Sequence, residues 1–533
     1  MLALIIFYRG VVPLLQNIRG RRLWGYLCTS DGVRIPLKNW ENLIGRSRFC
    51  DIVLNLPFVS RNHAVLTFHN QVWSIADLGA KGGVEVNGTA IEEPEVVNYG
   101  DTISLAGVEL VLTPAGDEEA AELQPENDSE ASSSSYKTSV TLALVIIFQI
   151  LGAIQLYFSM GDGVNTAVPP VFFTFILLEC LHYLIARWCG RKYFELELLC
   201  YFLCGLNLFV VASAAPEELF KQLVAILLGL LAYTVIGLAG KDLGGARRLK
   251  NLLKILAFVL LVLNLTIGET YYGAKNWINL GFITFQPMEF VKIAFVMAGT
   301  ATLDRLLTTR DMTDFIGFSG ACLLTLVHIR DFGAAVVFFG SFIVMAFMRS
   351  GDLRTIFLAT AGALFGAMAV VSFMPYIASR FATWGRAWEF ANTSGFQQTR
   401  TMIAAASGGL LGVGGGNGYF ANIPMADTDL VFGLLCEEWG LLVALTAVLI
   451  IVFLAVHVVF FIKSCRSSFY AIAACGAATI FLIQTALNVL GSVDIVPLTG
   501  ITIPFVSNGG SSMITSWGLL AFIKAIDDRI KPG

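Results

Sequence analysis

Apolar runs about 20 residues long, the length a helix needs to cross ~30 Å of hydrocarbon, recur from Ser139 nearly to the C-terminus. They predict spans at about Ser139–Ser159, Val168–Trp188, Leu196–Ser213, Leu219–Leu238, Leu252–Ile267, Met288–Leu303, Phe315–Val327, Gly333–Met348, Ile356–Phe373, Trp439–Ile462, Phe469–Val489 and Met513–Ile526. Upstream the pattern changes. From about Gly25 to Pro114, short alternating segments such as Ala64-Val65-Leu66-Thr67-Phe68 are separated by turn residues, which predicts an all-β sandwich. Residues 116–135 are acidic and Ser-rich without apolar periodicity, and read as a flexible tether. Leu2 to Leu15, interrupted by Arg9 and followed by Arg19, Arg21 and Arg22, is short for a span and is not followed by a cleavage site of small residues. It reads as an interfacial or partly inserted anchor. The expected fold class is a polytopic α-helical membrane protein of about twelve spans with an N-terminal all-β domain.

Composition agrees with this. The 533 residues are 56% hydrophobic and 14% charged, with a mean hydropathy of +0.72, against about 25% charged in a globular average. A net charge of −4 leaves no basic field of the kind that binds nucleic acid, so no nucleic-acid partner is expected. Charge reports topology instead. Arg and Lys cluster in alternate loops: Arg187, Arg191 and Lys192; Lys241, Arg247 and Arg248; Arg305 and Arg310; Arg349 and Arg354; Lys463 and Arg466; Lys524 and Arg529. The positive-inside rule makes those loops, the β domain and both termini cytoplasmic. Outside then lie residues 269–287, 328–332, 374–428 and 491–510, where the chemistry is expected. The loop 374–428 is long and rich in Gly and aromatic residues, a mark of function in a loop without a span of its own. The ten cysteines are scattered without metal-ligand spacing and read as small buried hydrophobes.

Ionisable residues near the membrane interior are costly and usually face a cavity or one another. Glu289 and Lys292 stand three apart on one helical face at the outer end of a span, placed to pair locally or across the bundle. Glu437 and Glu438 begin the span predicted from Trp439, where a helix N-terminus favours carboxylates. Gly408-Gly409 and Gly414-Gly415-Gly416 allow close backbone approach, to a ligand or, as the simpler reading, in a turn. Asp427-Thr428-Asp429 spells the Asp-x-Asp of nucleotide-sugar transferases, but it follows no β-strand and faces outside, so the match is coincidental.

In the β region, Gly45-Arg46-Ser47, Ser60-Arg61-Asn62-His63 and Asp77 to Gly83 are followed by Val86-Asn87-Gly88 and Gly100-Asp101-Thr102-Ile103. In this order they resemble a forkhead-associated (FHA) domain, which implies a reader of phosphothreonine peptides. Arg46 offers phosphate a guanidinium fork, Ser60 and Arg61 add donors, and His63 is structural. The family usually has Ser and Asn where this chain has Ala80 and Gly82, and that Asn normally grips the peptide backbone.

Farther on, Lys275 to Gly281 is followed by Phe285-Gln286-Pro287-Met288-Glu289 and Lys292, then by Asp331-Phe332-Gly333, Gly395-Phe396-Gln397, Ser407 to Gly412, Pro424 to Asp429, Glu437 to Gly440 and Pro504 to Ser512. From about Leu196 onward the chain is similar to the SEDS family, the shape, elongation, division and sporulation proteins FtsW, RodA and SpoVE. Family members usually have ten spans, so the two between 139 and 189 are an addition. The expected division is an anchor at 1–22, the FHA domain at 23–114, a linker at 115–138, two added helices at 139–189 and a SEDS-type domain at 190–533. Arg330 replaces a usual Pro, Arg400 a usual Gln, and Met425 and Asp427 the usual Glu and His.

The resemblance implies a peptidoglycan glycosyltransferase that polymerises lipid II (undecaprenyl-pyrophosphate disaccharide-pentapeptide) in the bacterial cell membrane. Such chemistry needs a base for the acceptor hydroxyl and positive charge for the departing pyrophosphate. Asp429 is the candidate base, with Glu289 and Lys292 as further catalytic candidates. Arg380, Gln397, Ser507, Gly509 and Gly510 are candidates for substrate binding, with Mg2+ or Mn2+ as a candidate cofactor. Expected partners are a class B penicillin-binding transpeptidase and a phosphothreonine protein of a Ser/Thr kinase pathway. Two rivals remain open: a flippase for the lipid precursor, disfavoured by ionisable groups confined to one side, and a non-catalytic scaffold. If the topology holds, a cysteine introduced at Asn127 is not labelled by a membrane-impermeant thiol reagent in intact cells and is labelled after lysis.

Overall fold

The computed structural model describes residues 1–16, 24–37, 41–46, 50–69, 72–91, 93–115, 137–160, 165–191, 193–239, 243–271, 274–279, 284–303, 309–350, 353–373, 375–462 and 468–527. The expected tether lies outside the described residues, as do several of the loop cations used for topology.

Eleven strands form the N-terminal domain: β1 (Gly25–Thr29), β2 (Arg34–Leu37), β3 (Glu41–Gly45), β4 (Ile52–Val53), β5 (Ala64–His69), β6 (Val72–Asp77), β7 (Val84–Val86), β8 (Thr89–Ala90), β9 (Glu95–Val97), β10 (Thr102–Leu105) and β11 (Val108–Thr113). They make two sheets, ordered β2-β1-β11-β10-β7-β8 and β4-β3-β5-β6-β9. Period-two alternation sends Leu27, Ile44, Leu66, Ile75, Ile103 and Leu110 into one buried core between them. Asn87 and Gly88 both take positive φ, 51° and 81°, and so close the tight β7–β8 hairpin.

The remainder is helical. Helix α1 (Leu2–Gln16) precedes the β domain, and after it come α2 (Thr138–Ser159), α3 (Val168–Trp188), α4 (Glu195–Ala214), α5 (Leu219–Ala239), α6 (Leu243–Ile267), α7 (Pro287–Leu303), α8 (Thr309–His328), α9 (Phe332–Ser350), α10 (Leu353–Phe373), α11 (Pro375–Thr383), α12 (Phe396–Gly408), α13 (Val431–Trp439), α14 (Leu441–Phe461), α15 (Ser468–Ser492) and α16 (Gly510–Asp527). Each expected span falls on a helix except the one from Trp439, which is divided between two. Among the described residues, eight helices are long and apolar enough to cross a membrane, while α8, α10 and α16 have shorter apolar stretches. Helix α4 is the hub, with nearly every residue from Glu195 to Ala212 buried. The segment expected to be an interfacial anchor packs into this body as α1: Ile6 is fully buried, and Gly10 lies so close to α4 that a Cβ would stand 2.7 Å from Leu199 Cδ2.

Two expectations about irregular regions are corrected. The long outer loop contains α11 and α12, and the second of these is partly buried through Gln398, Thr399, Thr401 and Ala404. The span expected from Trp439 is broken: Gly440, at φ 85°, separates the short α13 from α14. The outer segment before α7 folds as a small antiparallel sheet, β12 (Glu269–Tyr271), β13 (Ala274–Asn279) and β14 (Thr284–Phe285).

The added helices α2 and α3 are built into the body. Thr138 Oγ1 donates to Glu195 Oε1 (2.7 Å) at one end of α2, and Ser159 Oγ donates to the Gly415 carbonyl (2.6 Å) at the other. Between them Gln149 donates to Glu179 (3.0 Å), and both residues are fully buried. Gly152 faces Phe209, whose ring stacks on Phe172 and on Trp439. A Cβ at Gly152 would sit 2.1 Å from Phe209 Cζ, so Gly152→Val is expected to cost about 1–3 kcal/mol by overpacking and to lower the thermal melting point of purified protein.

Candidate functional site

A cavity of about 1070 Å³ opens between α8, α9, α10 and the irregular chain that precedes α13 and α16. Its walls are apolar: Leu323, Leu324 and Val327 from α8, Val336 and Phe339 from α9, and Leu364 from α10. Polar groups gather at one end, where Asn276, Arg330, Asp331, Arg380, Thr428 and Asp429 line the surface. This end belongs to the side that the charge rule makes external.

Asp429 is held by its backbone. Asn488 Nδ2 donates to the Asp429 carbonyl (2.9 Å) and to the Ile501 carbonyl (2.6 Å), joining two non-helical segments. Ser507 Oγ donates to the Thr428 carbonyl (2.6 Å), and the Asn508 amide to the Asp427 carbonyl (2.8 Å). Gly500, at φ 71°, faces the carboxylate; a Cβ there would lie 3.1 Å from Asp429 Oδ2. The carboxylate is partly open to the cavity, and no described residue donates a hydrogen bond to it. Burial pushes its pKa up to about 6, helped by the charges of Asp427 and Asp331 and opposed by Arg380.

Asp331, quoted above within a motif and given no role there, completes the polar end. In the turn between α8 and α9, its Oδ1 accepts the Ala334 amide (3.0 Å), while Asn276 Nδ2 lies 3.5 Å from Oδ2. Burial raises its pKa, against the pull of these donors and of Lys292. An acid at a tight turn between two apolar runs was the available signal.

The other candidates divide. Arg380 lines the cavity with Nη1 on the Leu498 carbonyl (2.8 Å), and Gly509 lines it too. Glu289 and Lys292 pair with each other at 2.5 Å, both buried, and neither lines the cavity. Ser507 acts beneath the site through Thr428, Gln397 donates to the Pro424 carbonyl (3.2 Å), and Gly510 opens α16. The glycine runs serve packing. Gly408 and Gly412 admit the backbone of residues 436–440, and Gly414–Gly416 press on Gln155, Trp439 and Ser159.

Two readings need correction. Glu437 and Glu438 stand at the C-terminal end of α13, not at a helix N-terminus: Glu437 accepts the Phe420 amide (2.8 Å) and Glu438 the Ser213 hydroxyl, satisfying irregular chain. Buried ionisable groups are also not confined to one side. Glu197 takes the Tyr233 hydroxyl (2.8 Å) and faces Lys524 (3.3 Å) at the far end of the bundle, and Glu179 is buried between α2 and α4. None of these lines the cavity.

In the β domain the loops bearing Arg46, Ser60-Arg61 and Lys81 are tied together. The Arg46 amide donates to the Ser60 carbonyl (2.9 Å), and the Lys81 amide to Ser60 Oγ (3.3 Å). Arg46, Arg61 and Lys81 are exposed. Buried His63 accepts the Ser60 amide at Nδ1 (3.1 Å) and donates from Nε2 to the Gly83 carbonyl (2.9 Å), the structural role expected of it. At Gly82 a Cβ would stand 2.2 Å from Ala106 Cβ, so the Asn usual in the family has no room there.

Comparison with known proteins follows these two sites. The family described as cell cycle protein FtsW/RodA/SpoVE matches residues 198–531, and the FHA domain matches residues 42–106. The chain is 30% identical to the probable peptidoglycan glycosyltransferase FtsW of Pseudomonas fluorescens (strain SBW25) over 62% of this chain and 86% of that protein. It is 30% identical to stage V sporulation protein E of Bacillus subtilis (strain 168), over 50% and 75%. A solved structure on the structural coordination of polymerization and crosslinking by a peptidoglycan synthase complex shares the fold, with a TM-score of 0.54 at 23% identity over 64% of this chain and 99% of that one. The chain belongs to the FtsW/RodA/SpoVE family of cell cycle proteins and carries an FHA domain ahead of the family core.

Proposed function

We propose that the protein is a peptidoglycan glycosyltransferase that polymerises lipid II, with Asp429 as the general base. The observation that carries this is a carboxylate at the polar end of an apolar-walled cavity, held by its backbone, with its pKa raised by burial. The walls accept a polyprenyl tail, and the polar end accepts its sugar and pyrophosphate. Asp429 takes the proton of the acceptor hydroxyl as that oxygen bonds to the anomeric carbon; the bond to pyrophosphate breaks, and the pyrophosphate leaves with the electron pair. Arg380 lowers the electrostatic cost of that departure. Glu289 and Lys292 act from behind the wall: their pair steadies α7, and Lys292 also acts electrostatically on Asp331.

Among the described residues, no group of three or more His, Cys, Asp or Glu is placed to hold a metal ion. A resident metal does not fit them, and any Mg2+ or Mn2+ would arrive on the pyrophosphate. The names of the relatives support the activity, and a polymerising and crosslinking complex among the structural neighbours supports a transpeptidase partner. The flippase reading is weaker, because the buried ionic groups of the far end do not continue the cavity. The FHA domain supports recruitment by a phosphothreonine protein. A cytoplasmic position for it is supported by Thr138, the first residue of α2, which bonds to Glu195 at the other end of α2 from Ser159 and the outer loop.

Asp429→Asn is expected to insert and bind precursor yet form no polymer, measured as glycan chains resolved by length. Native activity should fall as pH drops through about 6, where the base protonates. Stability moves oppositely. A folded pKa above the unfolded value of 3.8 means that the carboxyl's contribution is full below pH 3.8 and lost as pH rises through 6. Above pH 6 Asp429→Asn should therefore stabilise the fold by at most about 3 kcal/mol, seen as a higher melting temperature, and not near pH 4. In the FHA domain, Arg46→Ala should abolish binding of phosphothreonine peptides by the full chain, with little change in melting; equal native affinity for phosphorylated and unphosphorylated peptides would refute the recruitment reading.

A further inference from the structure

Among the described residues, three cations stand at or near the polar end of the cavity, and two of these have protein partners. Lys292 is paired with Glu289 and does not line the cavity. Arg380 lines it but is bonded to the Leu498 carbonyl. Arg330 lines the cavity with an exposed side chain, and no described residue takes a hydrogen bond or ion pair from its guanidinium.

Its backbone is unusual in the same way. The Asp331 amide donates to the Leu326 carbonyl (3.0 Å) and the Arg330 amide to the Val327 carbonyl (3.2 Å), the paired bonds that terminate a helix through a left-handed residue. Arg330 is that residue, at φ 64°, where glycine is the low-strain choice. Pro, usual here in the family, cannot adopt this φ. A long cation thus occupies a strained position without a described residue that uses its charge, a combination typical of functional sites.

Its place along the cavity says what the charge meets. Leu323, Leu324 and Val327 form the α8 stripe that ends at Arg330, and Val336 and Phe339 face it from α9. A polyprenyl tail between those walls presents its first charged atoms where they stop. We propose that Arg330 is a further binding residue whose guanidinium receives the pyrophosphate of the lipid-linked sugar donor. This rests on the glycosyltransferase reading for the donor's identity, but not for the pyrophosphate site itself.

Arg330→Gly tests it, because glycine keeps the left-handed turn while removing the charged side chain; Arg330→Lys keeps the charge. Full-length protein in lipid nanodiscs is titrated with undecaprenyl pyrophosphate and with undecaprenol, which shares the tail and lacks phosphate. The expected result is that Arg330→Gly weakens undecaprenyl pyrophosphate by about 10- to 100-fold, leaves undecaprenol unchanged, and lowers kcat/KM for lipid II, with Arg330→Lys recovering part of each loss. Unchanged affinity for undecaprenyl pyrophosphate, or an equal loss for both ligands, overturns the assignment, as does a native protein that does not bind undecaprenyl pyrophosphate. A native protein that binds it through Arg330 but makes no polymer upholds the site and refutes the glycosyltransferase reading. Polymerisation by Arg330→Gly at the native kcat/KM does the reverse.

Discussion

Non-helical backbone inside an apolar bundle must have its polar groups satisfied by the protein itself, and the architecture around the cavity follows from that constraint. Residues 425–430 and 496–509 run irregularly between helices, and a few buried amides and hydroxyls serve them. Asn488 bridges the carbonyls of Asp429 and Ile501, Asn207 donates to those of Val506 and Ser507, and Ser507 reaches Thr428. Asn508 adds its side chain to Glu218 and Asp427. An asparagine has two N–H donors on one rigid plane, so each can hold two segments at once. These bonds cross-link the chain before α13 to the chain before α16, and Asp429 is positioned by the cross-link.

The carboxylate's chemistry is a consequence of the same packing. The segments that satisfy its backbone bring no donor to its side chain among the described residues, and the neighbouring Asp427 and Asp331 add negative charge. Both effects disfavour ionisation, leaving a group basic enough to accept a proton and still ionised at neutral pH. The site is therefore less stable than an uncharged version of itself would be at neutral pH, a common relation between activity and stability. Gly500 is part of this arrangement, since a side chain there would crowd the carboxylate.

The added helices connect this region to the rest of the chain. Helix α2 is bonded to α4 at the tether end and to Gly415 at the cavity end, and Gly152 sets it against Phe209, which stacks on Trp439 beside the α13–α14 break. The FHA domain's attachment point and the outer loop thus share one rigid element, with the polar pair Gln149–Glu179 fixing its register against α3.

Periodicity and chain length alone settled the class of this protein: long apolar runs can only be buried helices, and period-two alternation with Asn-Gly turns can only build a two-faced sheet. Helices and strands lie where those patterns put them, apart from the break at Gly440, and Asp429 and Arg380 line the cavity. What the sequence left open depends on distance between remote segments. Glu289 and Lys292 pair as their spacing allowed, but their place behind the cavity wall depends on how α7 packs; Asp331 and Arg330 look like a turn until α8 and α9 close around the groove. The break at Gly440, the helices inside the long loop and the packing role of the glycine runs were equally hidden, because each depends on which backbone lies a few ångströms away, and local pattern carries no record of that.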